Sequence, residues 1–338
     1  MSQVLIGDCR GAMRQWIADG VRVQMAVTSP PYFGLRDYGH PGQIGLEDTP
    51  QEYVAALVEV FGLVWELLAD DGTLWVNLGD SYAQAGGRGE QGKSSQRLGR
   101  GNVGAQEKAA STRPPDGFKP KDLIGIPWRV AFALQEFGWY LRQDIIWHKP
   151  NPMPESVTDR CTKAHEYLFI LSKSPRYYFD AAAISEPVAL STVSRLSQDV
   201  ASQLVSARVP GKTNGNMKAV APRFGGAKYG DDDSEKHRTK SGNEYAIPES
   251  GRRNRRSVWT IPTMPYSGAH FAVFPPALIE PCILAGSRPG DVVLDPFFGS
   301  GTGGEVCERL GRQWIGCELN PEYERLQKQR TAQLGLAL

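Results

Sequence analysis

Asp291-Val292-Val293-Leu294-Asp295-Pro296-Phe297-Phe298-Gly299-Ser300-Gly301-Thr302-Gly303-Gly304 decides the fold. Asp291 to Leu294 reads as a short buried strand. Pro296 and the glycines after it end the strand in a tight turn. Glu305 to Leu310 then reads as a helix and Gln313 to Cys317 as a second strand, closed by Glu318. Strand, glycine-rich turn, helix, strand and acid is the logic of an adenosine-binding crossover. The glycines let the backbone approach a ligand, and the acid at the next strand tip accepts hydrogen bonds from ribose hydroxyls. Glu318 lies seventeen residues after Gly301, close to the spacing this geometry needs.

Two ligand classes carry such an adenosine, a dinucleotide and S-adenosylmethionine. A dinucleotide site begins its glycines directly after the strand. Here Asp295-Pro296-Phe297 intervenes and puts a carboxylate and an aromatic ring at the tip. A carboxylate pairs with a methionine amino group and repels a pyrophosphate, which favours S-adenosylmethionine. On the C-terminal side, a last helix is expected to start near Pro321, with Asn320 as its cap. On the N-terminal side, Phe274-Pro275-Pro276 leads into a helix from Ala277 to Ala285 and a turn at Arg288-Pro289-Gly290.

The N-terminal half repeats the alternation. Val4 to Gly7 and Arg22 to Thr28 read as short buried strands. Gln51 to Leu68 has helical apolar spacing, with Gly72 expected to break that helix before a strand from Thr73 to Leu78. Ile126 to Phe137 reads as a helix and Trp139 to His148 as a strand. Glu166 to Leu171 with Arg176 to Phe179 reads as a hairpin at the sheet edge. The expected fold class is therefore α/β, a doubly wound, mostly parallel sheet. Between Gln84 and about Lys121 the apolar period vanishes, and the stretch reads as a mobile lid or a disordered insertion.

Thr28-Ser29-Pro30-Pro31-Tyr32 stands where the strand ending at Thr28 stops. Two prolines fix two φ angles and remove two N–H donors, and the first pushes Ser29 towards an extended backbone. The stiff bend presents acceptors, the Ser29 hydroxyl and the Pro30 carbonyl, beside the aromatic face of Tyr32. A flat ring carrying an exocyclic NH₂ needs that kind of receptor. Carbon-5 methylation of cytosine would instead need a cysteine after proline. The only Pro-Cys, Pro281-Cys282, lies inside an expected core helix, which excludes that chemistry.

The net charge of +1 gives no overall signal for nucleic acid. Locally, residues 187–257 hold few large apolar side chains and many Lys and Arg, with Arg252, Arg253, Arg255 and Arg256 clustered before Val258. The five cysteines are scattered without a CxxC pair, and Met1-Ser2-Gln3 runs directly into a strand. These features, with no apolar run approaching the ~20 residues of a membrane span, lead to the expectation of a cytoplasmic protein with reduced thiols, without a metal site or a membrane span.

Thr-Ser-Pro-Pro-Tyr early in the chain, with Asp-Pro-Phe-Phe-Gly-Ser-Gly-Thr late in it, resembles the DNA amino-methyltransferases of the β order. Gly7-Asp8-Cys9, Gly72-Thr73-Leu74-Trp75, Ile146-Trp147-His148-Lys149-Pro150 and His270-Phe271-Ala272-Val273-Phe274-Pro275 extend the resemblance. It implies a circularly permuted sheet of seven strands, S-adenosylmethionine as cofactor, double-stranded DNA as partner and a homodimer. The catalytic part would be 1–186, the target-recognition region 187–257 and the cofactor part 258–338.

The resemblance gives Ser29, Pro30, Pro31 and Tyr32 the catalytic role. Asp295, Phe297, Gly299, Ser300, Gly301 and Thr302 would line the methionine end beside Thr28, and Glu318 would hold the ribose. Asp8 would reach the adenine amino group, and His270, Phe271 and Phe274 would close over the cofactor. Lys149 and the four arginines from Arg252 to Arg256 would hold DNA. Within this family a Ser before Pro-Pro-Tyr goes with cytosine N4 and an Asp with adenine N6. Both supply an acceptor for an amino proton, so physics leaves the two nearly equal and motif habit puts cytosine slightly ahead. Methyl transfer to protein glutamine or RNA, and a non-catalytic DNA-binding module, are the alternative readings.

Overall fold

The computed structural model describes residues 2–83, 117–191, 193, 251–264 and 274–332. The expected lid at Gln84 to Lys121, apart from its last five residues, lies outside them, as do His270, Phe271 and most of 187–257. The chain divides into two compact units, 1–183 with 256–338, and 184–255.

The larger unit is built on β1 (Gln3–Ile6), β2 (Val23–Thr28), β3 (Leu68–Leu78), β4 (Tyr140–His148) and β5 (His165–Ser172). Its later strands are β8 (Val258–Thr260), β9 (Val292–Asp295) and β10 (Gln313–Glu318). Their order across the sheet is β1-β10-β9-β2-β3-β5-β4-β8. All run parallel except β5, which is antiparallel to both neighbours. In the smaller unit β6 (Glu186–Pro187) and β7 (Arg252–Arg253) form a short antiparallel pair.

Helices cover both faces. Leu74, Val76 and Leu78 of β3 belong to one core with α1 (Cys9–Ala18), α2 (Pro50–Leu67) and α3 (Ile126–Phe137). The opposite face receives α4 (Pro276–Gly286), where a side chain on Gly286 would stand 2.9 Å from Met25 Sδ. Two further helices, α5 (Thr302–Arg309) and α6 (Glu324–Ala332), follow the glycine-rich turn and β10. Each large side chain buried in such a core contributes about 1.5–3 kcal/mol. The start of α2 is fixed locally. Thr49 and Glu52 form a reciprocal capping box with Pro50 in the first turn, and losing such a cap costs about 1 kcal/mol.

Three expectations need correction. Among the described residues the sheet has eight strands, because β8 adds to β4 through Ile146, Trp147 and His148. The expected edge hairpin does not form. β5 lies inside the sheet between β3 and β4, which suits its buried run Leu168–Leu171. Residues 176–179 are not a strand, and Phe179 instead stacks on Trp75 at 6.3 Å and 9°. Finally, β3 begins at Leu68 and not at Thr73, because Leu68 already pairs with Val23. Gly72 marks a close backbone approach: a Cβ there would lie 2.9 Å from Gln24 O.

Candidate active site

β2 and β9 are hydrogen-bonded neighbours, with Met25 opposite Val293 and Ala26 opposite Leu294. Their carboxyl ends therefore emerge side by side, where ligands bind in open α/β sheets. A direct bond joins the two motifs: the Thr28 hydroxyl donates to Asp295 Oδ1 at 2.6 Å. Above this junction lies a cleft of about 570 Å³. Ser29, Pro30, Pro31 and Tyr32 line one wall, and Phe297, Gly299, Ser300, Thr302 and Glu318 line the other.

The glycine-rich turn is shaped by packing. Phe298 turns into the core and stacks on Trp314 at 4.8 Å and 16°. Gly316 and Gly304 make room for it, since a Cβ at either would meet its ring at 2.4 or 2.8 Å. Gly301 sits at φ 88° just before α5, a left-handed conformation natural to glycine. Glu318 accepts the Gly299 N–H and the Asn320 N–H, each at 2.8 Å. Burial raises the pKa of its carboxyl, and those N–H groups pull it back down.

Asp295 is buried, and its Oδ1 also accepts the Phe297 N–H at 3.0 Å. Burial pushes its carboxyl up to about 7 despite these hydrogen bonds. Oδ2 has no hydrogen-bond partner among the described atoms. A buried carboxylate oxygen left unpaired is costly and suits a cationic donor. An amino group arriving with a methionine moiety is such a donor, so the residues present fit S-adenosylmethionine. Phe274 also lines the cleft.

Other residues assigned to the cofactor stand differently. Asp8 lines the cleft, but it caps α1 and both its oxygens are engaged by Arg10. The bond from the Arg10 guanidinium holds this carboxyl below its usual range. The hydroxyls of Ser300 and Thr302 receive Arg330 Nη1 from α6, at 2.6 and 2.7 Å. Gln327 of the same helix donates to Gly299 O at 2.7 Å. The last helix thus braces the turn.

Polar side chains hold the Ser29–Tyr32 bend instead. Tyr32 donates its hydroxyl to Glu166 Oε2 at 2.7 Å and receives Asn77 Nδ2 at 2.6 Å. Asn77 also reaches Glu166 Oε2 at 2.9 Å and Ser29 Oγ at 3.4 Å. Burial, followed by the neighbouring Glu166 charge, raises the Tyr32 phenol well above its ordinary pKa. Tyr53 of α2 donates to the Pro31 carbonyl at 2.9 Å and fixes the bend from below. Gly79 lets the Tyr32 ring lie against the backbone, since a Cβ there would meet the ring at 2.5 Å.

Lys149, expected on DNA, is recessed: its side chain is 18% exposed, ion-paired with Glu166 Oε1 and 4.3 Å above the Trp147 ring. In the smaller unit Arg252 is bonded to Ser185 and Arg253 to Glu186. Arg255 belongs to that unit and Arg256 to the larger one. Asn77, Glu166, Gln327 and Arg330 were not singled out from the sequence. Asn77 had a signal, a polar residue inside an otherwise apolar strand. The other three become visible only once β5 and α6 are placed.

The chain matches the N6/N4 methyltransferase family, described as DNA methylase, over residues 23–329. It belongs to this DNA methylase family. The methylase is 45% identical over 330 residues to the Type II methyltransferase M.SmaI of Serratia marcescens, covering 97% of this chain and 90% of that one. It is 30% identical to the Type II methyltransferase M.SfiI of Streptomyces fimbriatus, covering 89% and 84%.

Two solved structures share the fold. One is the PvuII DNA methyltransferase (cytosine-N4-specific), with TM-score 0.57 and 18% identity over 97% of this chain and 86% of that one. The other is a DNA modification methylase of Thermus thermophilus, complexed with S-adenosyl-L-methionine and described as putative in that function. Its TM-score is 0.54 and its identity 20%, over 100% of this chain and 96% of that one. The methylase is an S-adenosylmethionine-dependent DNA methyltransferase of the N4/N6 type, and the readings of a glutamine or RNA methyltransferase or a non-catalytic module fall away. Cys282, the only cysteine after a proline, is fully buried in α4 with its thiol on Leu278 O, out of reach of a base.

Proposed function

We propose that the methylase transfers a methyl group to the exocyclic N4 of a cytosine extruded from double-stranded DNA, within a Type II restriction-modification pair. One observation carries this reading: the Thr28–Asp295 bond holds the Ser-Pro-Pro-Tyr bend and the cofactor turn at adjoining strand tips around one cleft. Ser29 in the bend, and the family habit that goes with it, favours cytosine.

Bound S-adenosylmethionine supplies an electrophilic methyl group on a sulfonium. Glu318 would hold its ribose, and Asp295 Oδ2 would take its amino group. An exocyclic amine is a poor nucleophile because its lone pair is conjugated into the ring. Ser29 Oγ and the Pro30 carbonyl accept its two protons and turn the lone pair out of conjugation, towards the methyl group. Orientation of this kind is worth up to about 7–11 kcal/mol. Tyr32 stacks on the extruded ring, and at about 1–3 kcal/mol this offsets much of the few kcal/mol that extrusion costs. The methylated nitrogen is a strong acid, so no dedicated strong base is needed. The basic 187–257 region would read the sequence around the target, and cytoplasmic location and a homodimer complete the proposal.

Incubation with duplex DNA and S-adenosylmethionine, followed by nucleoside mass spectrometry, tests it. N4-methylcytosine is expected, and N6-methyladenine would overturn the choice of base.

A further inference from the structure

An extruded base presents more than its amine. Beside the exocyclic NH₂ lies a ring nitrogen with a lone pair, N3 in cytosine, which loses its pairing partner when the base leaves the duplex. Inside a cleft that excludes water such an acceptor needs a donor. In the Ser29 bend the Pro30 carbonyl carries no proton, and the Ser29 hydroxyl proton is directed at the Tyr32 hydroxyl oxygen at 3.4 Å.

Lys149 is placed to do so. It lines the same cleft as Ser29 and Tyr32, and its side chain is only 18% exposed. Its ammonium is held from two sides, by Glu166 Oε1 and by the face of Trp147 at 4.3 Å. The other oxygen of Glu166 holds the Tyr32 hydroxyl at 2.7 Å, so one carboxylate sets both the stacking ring and the ammonium. An ammonium carries three donors, and one salt bridge leaves the others available. Asn77, the amide donor of this network, already spends Nδ2 on Tyr32, Glu166 and Ser29.

We propose that Lys149, positioned by Glu166, donates a hydrogen bond to the ring nitrogen beside the target amine and so selects the extruded base by its Watson–Crick edge. This rests on the reading above, that the substrate is an extruded base in DNA. Glu166 has a second effect. An isolated cation at the ring nitrogen would withdraw electrons from the amine that must attack. Pairing the ammonium with a carboxylate supplies the donor while largely cancelling the charge. Lys149 is therefore a base-reading residue, and Glu166 a positioning residue.

The test is a cycle between protein and substrate. Wild type, Lys149→Met and Lys149→Gln are assayed on a natural duplex. They are assayed again on a duplex whose target base lacks the ring nitrogen, 3-deazacytosine for cytosine or 1-deazaadenine for adenine. Wild type is expected to lose about 10- to 100-fold in kcat/KM on the deaza duplex. Lys149→Met is expected to be slow on the natural duplex and to lose little more on the deaza one. Lys149→Gln keeps a donor without the charge and retains part of the discrimination. Cofactor binding by calorimetry confirms that each variant is folded.

Equal further loss by wild type and Lys149→Met on the deaza duplex overturns the proposal. A Lys149→Met that changes only the salt dependence of DNA binding makes Lys149 a phosphate contact and overturns it too. Wild type that methylates no amine in DNA sinks the functional reading itself, and this proposal with it. Glu166→Gln is expected to lower kcat more than it raises KM, with stacking and charge balance both disturbed. A variant with wild-type kcat removes Glu166 from the account.

Discussion

The two tips that meet across the β2–β9 junction are built by different physics. The cofactor turn is a matter of shape: glycines at Gly301, Gly304 and Gly316 clear space for Phe298, and Glu318 closes on the Gly299 N–H. The Ser29–Tyr32 bend is a matter of polar connection: Asn77 of β3 and Glu166 of β5 hold Tyr32, and Lys149 at the end of β4 pairs with Glu166. Shape is set largely within residues 295–318, whereas the polar network draws on residues up to 134 positions away. The glycine-rich turn is largely locally encoded, whereas the bend beside it is assembled by topology.

The largest expected effect comes from the bend. Tyr32→Ala is expected to lower methyl transfer by about 100-fold or more while cofactor affinity stays near wild type. A tritiated-methyl assay beside calorimetry reads both, and full activity would remove the bend from the chemistry. Glu318→Ala is expected to do the reverse, weakening cofactor binding by about 10- to 100-fold with DNA affinity retained in a gel-shift assay. Unchanged cofactor affinity would show that the acid serves only to shape the turn.

Gly79→Ala sharpens the contrast with a smaller change. The new methyl must displace the Tyr32 ring, so kcat is expected to fall by about 10-fold without a change in cofactor affinity. An unaltered kcat would mean that the ring is free to move.

The smallest expected effect concerns the junction. Asp295 in the folded chain keeps its proton up to about pH 7, whereas the unfolded chain releases it near 3.8. Its contribution to stability is therefore fully present below pH 3.8 and is lost as pH rises through about 7. Asp295→Asn removes that dependence. Without cofactor, its urea midpoint relative to the wild type is expected to improve between about pH 5 and pH 8, by about 1–2 kcal/mol in stability. A difference that does not vary with pH would show that the carboxyl is not protonated.

The sheet class, the crossover at Asp295–Glu318 and the bend at Ser29–Tyr32 were legible because each is a local pattern of apolar runs, glycines and prolines. The interior place of β5 was not. An apolar strand of eight residues looks the same at an edge or inside a sheet, and the pairing that decides it is long-range. Misplacing β5 hid Glu166, because that carboxylate meets Tyr32 only when β5 lies beside β3. Gln327 and Arg330 were hidden for a related reason. Their helix has almost no apolar face, so nothing in its period shows that it leans on the cofactor turn.

That two strand tips form one site for methyl transfer to a ring amine in DNA is tested by nucleoside mass spectrometry of duplex DNA incubated with the purified protein and S-adenosylmethionine. A methylated exocyclic amine, N4-methylcytosine, present with wild type and lower by about 100-fold or more with Tyr32→Ala, is the expected result. 5-Methylcytosine, or no methylated nucleoside at all, would contradict the account.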